Sequence, residues 1–338
     1  MWRSVAGAVG AASRGVAAQA RGVARRVALP GVLVRAWRLW EAACGPGRAR
    51  DVAEPPNSNL AVGVAGIASS TTSARELDLT GLGYRPEDVT YYSYRGLPDP
   101  GEAGIAAPYG PDDTLGSLRA AGHRLYDQLA ALHAAHPGRA VDLIAHSQGG
   151  IVASYFMAYL YDPLDPMLPR VDHLVTLASP HQGADLATTI SHLRTTPRGR
   201  WLLGVIEPVT RHLGLGIRAD AVSLAQLAED SDFIRQLNTR VIQRATAVRG
   251  GFDVVVTTPH AGRPDLPGRA SCATHGGILG DERARRTVLA ALRDQPLPSP
   301  GPADDRVPAV VGGIIEDVED ALGGALERWA GYRPAPAP

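Results

Sequence analysis

The sequence predicts an α/β fold: a mostly parallel sheet with helices on both faces, a helical cap insertion, and an amphipathic helix at each end. Three observations predict it. Six short apolar runs alternate with helically periodic stretches from Pro55 onward, and strands separated by helices imply parallel pairing through crossovers. The segment from Val141 to Ala153, VDLIAHSQGGIVA, reads as strand, tight turn and helix start. The chain of 338 residues is long enough for one large α/β domain with additions.

The elements follow in order. Residues 1–54 predict basic amphipathic helices: positions 1–50 hold nine arginines and one acidic residue. Arg3, Arg14, Arg21 and Arg25 share a helical face opposite Val5, Val9, Val16, Val23 and Val27. Pro30 ends this helix, and a second, carrying Trp37 and Trp40, follows. The catalytic domain is expected over 55–294, with strands at Leu60–Gly66, Val89–Tyr94, Ala140–Ala145, Val171–Ala178, Ala245–Val248 and Arg269–Ala273. Thr114–His136 predicts a crossover helix, apolar at Leu118, Leu125, Leu129 and Leu132. The stretch 184–238 is mostly helical and has no strand to cover, so it is expected as a cap over the C-terminal edge of the sheet. A Pro-rich linker spans 295–305, and an acidic amphipathic helix with a disordered end spans 306–338.

Composition excludes several classes. Basic and acidic residues balance at 34 each, which gives no reason to expect a nucleic-acid partner. All 34 basic residues are arginine, and a chain without lysine has no Schiff-base, P-loop lysine or Ser-Lys chemistry. The two cysteines, Cys44 and Cys272, lack metal-ligand spacing and leave room for one disulfide. His133 and His136 share a polar helix face without a carboxylate to complete a metal set, so no metal is expected. The basic N-terminus has no compact apolar segment followed by a cleavage site, and no uncharged apolar run reaches about 18 residues. The expectation is a cytoplasmic protein with peripheral membrane contact through residues 1–50; packing of that basic segment on the acidic C-terminal helix is the competing reading.

The strand-turn-helix context makes Ser147 a candidate nucleophile. Such an elbow strains the serine backbone by about 1–3 kcal/mol and needs small residues two before and two after it; Ala145 and Gly149 stand there. The Ala11–Gly15 segment fits the same spacing around Ser13 but has no strand before it. A serine hydroxyl needs a base and a group that orients the base. In an open parallel sheet these belong in loops after later strands. His275, after RASCA and before GGILGDERARRTVLAAL, fits as base, and Asp253, after ATAV and its RGG turn, fits as acid. Asp265 is the reserve acid, His181 a rival base, and His146 a packing support for the elbow. The oxyanion is assigned to the amide of Gln148 and, from the loop AVGVAGIASSTT, that of Ile67 or Ala68. Ser69, Ser70, Thr71 and Thr72 either brace that loop or cap the next helix.

Together the motifs VAGIASS, VTYYSYRG, AHSQGG, TLASPHQGA, LAEDSDFIRQLN, GFDVVV and THGGIL, over about residues 60–290, resemble the α/β-hydrolase superfamily. Within it they are similar to bacterial lipase/esterases and the GPI-inositol-deacylase-like branch. The resemblance implies carboxylic-ester hydrolysis through an acyl-enzyme on a Ser147-His275-Asp253 triad, beneath a helical cap, without metal or cofactor. The substrate expected under an apolar cap is a lipid-like ester, with small soluble esters as the alternative. Two positions depart from the pattern: Ala145 stands where Gly is commonest, and Ala65-Gly66 replaces a His-Gly pair. Acyl transfer to a second alcohol, or a catalytically silent membrane- or partner-binding module, are the alternative functions.

Overall fold

The computed structural model describes residues 55–212, 218–298 and 306–333. The N-terminal helices expected over 1–54, Cys44, most of the linker and the terminal APAP lie outside them. Six strands form one parallel sheet in the order β2-β1-β3-β4-β5-β6. They are β1 (Leu60–Val64), β2 (Val89–Tyr91), β3 (Val141–His146), β4 (Val171–Leu177), β5 (Ala245–Gly250) and β6 (Gly268–Ser271). Each lies where the sequence placed it, with ends shifted by one to three residues.

The inner strands are buried on both faces, which is why they read as continuous apolar runs rather than alternating ones. Leu60, Val62, Leu143, Ala145 and Leu174 face one core. Ala61, Ile144, Val175, Leu177 and Val248 face the other. The first core is closed by α1 (Leu118–Ala135) and α2 (Gln148–Tyr159), through Leu118, Leu125, Leu129, Ile151, Val152 and Phe156. The second is closed by α7 (Glu282–Leu292), through Ala284, Val288 and Leu292. Helix α1 starts four residues later than the sequence predicted. Gly116 is extended and Ser117 caps the helix by accepting from the Ala120 amide, so Pro111–Leu115 forms a separate short turn of 3-10 helix.

The 184–238 stretch contains α3 (Asp185–Arg194), α4 (Pro197–His212), α5 (Val222–Leu227) and α6 (Asp232–Asn238). It divides in two. Helix α6 packs on α2, α5 packs on α1 and α6, and Leu224, Phe233, Ile234 and Leu237 join the first core. Helix α4 instead leaves Trp201 and Val205 more than half exposed. Helix α8 (Arg306–Ala330) packs mainly along α3. There His192 hydrogen-bonds Glu327 at 2.8 Å and stacks on Tyr332 with ring centres 4.1 Å apart. No described helix is long and apolar enough to cross a membrane.

The junction of β3 with α2 is the tightest packing around the site. A Cβ on Gly149 would stand 2.3 Å from the Val64 carbonyl oxygen and 2.5 Å from that of Ala65, so the helix rests on β1 through this hydrogen. Overpacking of this kind costs about 1–3 kcal/mol. Gly149→Ala is therefore expected to lower the urea midpoint by an amount in that range at unchanged m-value. A substitution that leaves the midpoint within error would show that the contact is not this close.

Candidate active site

Ser147 is the residue between β3 and α2. Its backbone sits at φ 55°, ψ −133°, a region that a residue with a Cβ enters only under constraint. The constraint comes from both sides: the Ser147 amide donates to the Leu177 carbonyl on β4 at 2.9 Å, and its carbonyl accepts from the Gly150 amide at 3.0 Å. Ser147 thereby presents its hydroxyl above the C-terminal edge of the sheet, and the first amides of α2 point to the same side. Electropositive helix N-termini favour a developing negative charge there.

His275 reaches the hydroxyl from the loop after β6, with Nε2 2.9 Å from Ser147 Oγ. Its Nδ1 lies 2.8 Å from Asp253 Oδ2. A carboxylate only accepts, so Nδ1–H donates to Asp253, and Nε2 is left to accept from the serine hydroxyl. Asp253 is 1 % exposed. Its other oxygen, Oδ1, accepts from the Val255 and Val256 amides at 2.8 and 2.9 Å, so burial is balanced by hydrogen bonds. The two loops are tied together as well: the Gly251 amide donates to Ser271 O and that of Phe252 to Ala273 O. The structure thus brings Ser147, Asp253 and His275 into one hydrogen-bonded chain.

His146 lies beneath this chain. Its Nε2 is 3.0 Å from the His275 carbonyl oxygen, and the two imidazoles are 4.9 Å apart. Burial first, and then the proximity of the His275 imidazole, push its pKa down to about 4. A neutral ring with Nε2–H donating to that carbonyl holds the His275 backbone in place. The sequence identified His146 as a support; its partner is the His275 loop rather than the serine turn alone.

The rival groups are engaged elsewhere. His181 is fully buried with Nε2 2.9 Å from Thr176 Oγ1, and burial pushes its pKa down to about 3. Asp265 pairs with Arg263 at 2.8 Å through both carboxylate oxygens.

The loop after β1 passes directly over Ser147: a Cβ on Gly66 would stand 2.7 Å from that of Ser147. Ala68 adopts φ 59°, and its amide donates to Thr114 Oγ1 at 2.9 Å. That donor is therefore occupied, which removes Ala68 from the pair of candidates. Of the hydroxyl run, Ser69 braces the loop by donating to the Gly66 carbonyl at 2.6 Å, Ser70 and Ser73 bond each other, and Thr71 ties the loop to Tyr109. Tyr94 adds a hydrogen bond from its hydroxyl to Ala65 O at 2.8 Å. The Gln148 side chain donates to the Thr114 carbonyl at 2.8 Å, so Thr114 links the loop after β1 to the start of α2. Sequence reasoning missed Thr114 and Tyr94, since nothing local marks residues that meet this loop only through the fold.

Residues 108–249 match the family model described as "Putative serine esterase (DUF676)". No curated protein matches the chain. Among solved structures, the product of the gene lin2722 from Listeria innocua is 14% identical, covering 71% of this chain and 96% of that one with a TM-score of 0.44. Bacillus licheniformis lipase BlEst2 in its propeptide form is 16% identical, covering 76% of this chain and 54% of that one with a TM-score of 0.46. Aspergillus fumigatus lipase B is 15% identical, covering 88% of this chain and 70% of that one with a TM-score of 0.44. The matched segment contains β3, the Ser147 turn, α2 and β4. That segment forms the centre of the six-stranded parallel sheet described above, and over it the chain is similar to this family.

Proposed function

We propose that this chain is a serine hydrolase that cleaves carboxylic esters with apolar acyl chains through an acyl-enzyme. The observation that carries the reading is the hydrogen-bonded series Ser147 Oγ, His275 Nε2, His275 Nδ1 and Asp253 Oδ2, at 2.9 and 2.8 Å. In the first half-reaction Ser147 Oγ attacks the ester carbonyl carbon while His275 Nε2 takes its proton. Asp253 keeps the imidazole in the required tautomer and stabilises the imidazolium that forms. The tetrahedral oxyanion is held by the backbone amides of Gln148 and Ile67, the latter chosen because the Ala68 amide is taken by Thr114. Collapse breaks the ester C–O bond, and His275 returns the proton to the departing alcohol. Water then repeats the sequence on the acyl-serine, and no cofactor is required.

Apolar surface beside the acid supports the choice of acyl group. Val254 and Val255, next to Asp253 in the chain, are 61% and 40% exposed. An apolar chain lying on these residues gains about 25 cal/mol per Å² removed from water, or about 0.8 kcal/mol per methylene. A series of p-nitrophenyl esters from acetate to palmitate tests both parts of the reading. The expected result is a kcat/KM that climbs with chain length to octanoate or beyond, and a loss of at least about 10⁴-fold in Ser147→Ala. A preference for acetate would remove the lipid-like substrate, and undiminished turnover in Ser147→Ala would remove the nucleophile.

Two further variants separate the supporting groups. Asp253→Asn is expected to lower kcat by about 10⁴-fold with little change in KM, since it disturbs the tautomer rather than binding. His146→Phe keeps the ring volume but leaves the His275 carbonyl without its donor, a loss of about 1–1.5 kcal/mol or roughly tenfold in kcat. Equal effects of His146→Phe on KM and kcat would assign His146 to general packing instead.

A further inference from the structure

The motif TLASPHQGA supplies no member of the Ser147 series, yet the fold sets it against the loop that carries Asp253. It leaves β4 through Ala178, whose backbone lies at φ 47° and whose amide donates to the Val248 carbonyl at 2.8 Å. Gly183, at φ 98°, lets the turn enter α3 closely, since a Cβ there would stand 2.5 Å from Glu229 Cα. Between them His181 is fully buried on Thr176. Gln182 therefore stands on a turn held at both ends. Its peptide amide donates to the His260 carbonyl at 2.9 Å, its Nε2 donates to the Gly262 carbonyl at 3.2 Å, and its Oε1 accepts from Asn238 Nδ2, at the end of α6, at 3.2 Å. Asp185 meets the same stretch, with Oδ2 3.1 Å from His260 Nδ1.

The loop that receives these contacts is closed on itself. Thr258 Oγ1 donates to the Gly250 carbonyl at 2.8 Å, the Ala261 amide to Thr257 O at 2.9 Å and the Gly262 amide to Pro259 O at 3.1 Å. Asp253 belongs to the same unit, because its Oδ1 accepts from the Val255 and Val256 amides. Where the loop sits is therefore where the carboxylate sits. One limb, Gly251–Phe252, is tied to Ser271 and Ala273 beside His275. The other limb, from His260 to Gly262, is tied to Gln182 and Asp185.

We propose that Gln182 is a positioning residue for Asp253, holding the far limb of its loop so that the carboxylate stays in place against His275 Nδ1. This role rests on the hydrolase reading above and gives the acid a support of its own. His146 holds the His275 loop from the end of β3, and Gln182 holds the Asp253 loop from the turn after β4. Neighbouring strands thus fix the two partners of one hydrogen bond. Misplacing a catalytic group by about 1 Å can cost about 10²-fold in rate. Loss of one hydrogen-bonded tie is milder, about 3–10-fold in kcat, and KM is spared because the acid orients the imidazole rather than binding the ester.

The test compares two variants of the full chain. Gln182→Met keeps the side-chain length and removes both of its hydrogen bonds; Gln182→Glu keeps the acceptor for Asn238, removes the donor to Gly262, and serves alone if the first variant does not fold. Tyr126→Phe, which deletes the 2.7 Å bond to Asp165 in the loop after α2, is the control for a loss of stability elsewhere. The readouts are kcat and KM on p-nitrophenyl octanoate, and the His275 Nδ1–H proton resonance of the resting protein, identified by its absence in His275→Gln. In the Gln182 variants kcat is expected to fall about 3–10-fold at unchanged KM, and the resonance to move upfield or broaden as the contact with Asp253 loosens. Tyr126→Phe is expected to match the wild type in both. A resonance the same as wild type in the Gln182 variants, kcat and KM altered in equal measure, or the same losses in Tyr126→Phe would each overturn the proposal. The resonance needs no ester turnover, so a failed hydrolase reading shows as inactive wild-type protein while the spectrum still decides the positioning role.

Discussion

The strained turn at Ser147 is the constraint on which the site depends. A residue with a Cβ at φ 55°, ψ −133° costs about 1–3 kcal/mol, and the surroundings must hold it there. They do so with backbone hydrogen bonds to β4 and α2 and with close contacts that forbid relaxation. The Gly149 hydrogen touches the carbonyls of β1, Gly66 passes over the serine, and α2 is buried along most of its length. A helix seated this deeply in the core, through Ile151, Val152 and Phe156, supplies far more than the strain consumes. The turn is therefore rigid, with the hydroxyl fixed relative to the sheet edge.

Under the proposed function, rigidity at the serine matters only if the His275 imidazole is equally well placed, and two arrangements place it. Asp253 accepts from two amides of its own loop and from His275, so the carboxylate is an anchored, buried acceptor. His146, one residue before the serine, holds the His275 carbonyl. The strand that positions the hydroxyl therefore also positions the imidazole, and the two cannot shift independently. Thr114 plays the matching part between the loop after β1 and α2 by engaging both the Ala68 amide and the Gln148 side chain.

Much of this was legible in the sequence for a physical reason. Parallel strands buried on both faces are continuous apolar runs, and the 141–153 segment carries strand, small-residue turn and helix with no interruption, so β3, Ser147 and α2 could be located without a structure. Chain order then singled out Asp253 and His275, which the fold brings together. Other features were not readable. The start of α1 depends on whether Gly116 or Ser117 ends the preceding turn, a local choice that periodicity does not resolve. The occupied Ala68 amide depends on Thr114, and the 3.1 Å contact of His260 with Asp185 joins segments that only tertiary packing brings together. The 184–238 stretch looked uniformly like a cover because its apolar residues have no strand nearby in sequence, whereas α5 and α6 find their partners in α1 and α2.

The central claim of the proposed hydrolase is that, among the described residues, the hydroxyl at residue 147 is the activated nucleophile. Reaction of the folded protein with a fluorophosphonate, followed by peptide mass spectrometry, reads that claim without assuming any substrate. The account predicts a single covalent adduct, mapped to the peptide bearing Ser147 and abolished by prior denaturation. An adduct on any other residue, or none under conditions where the fold persists, would contradict it.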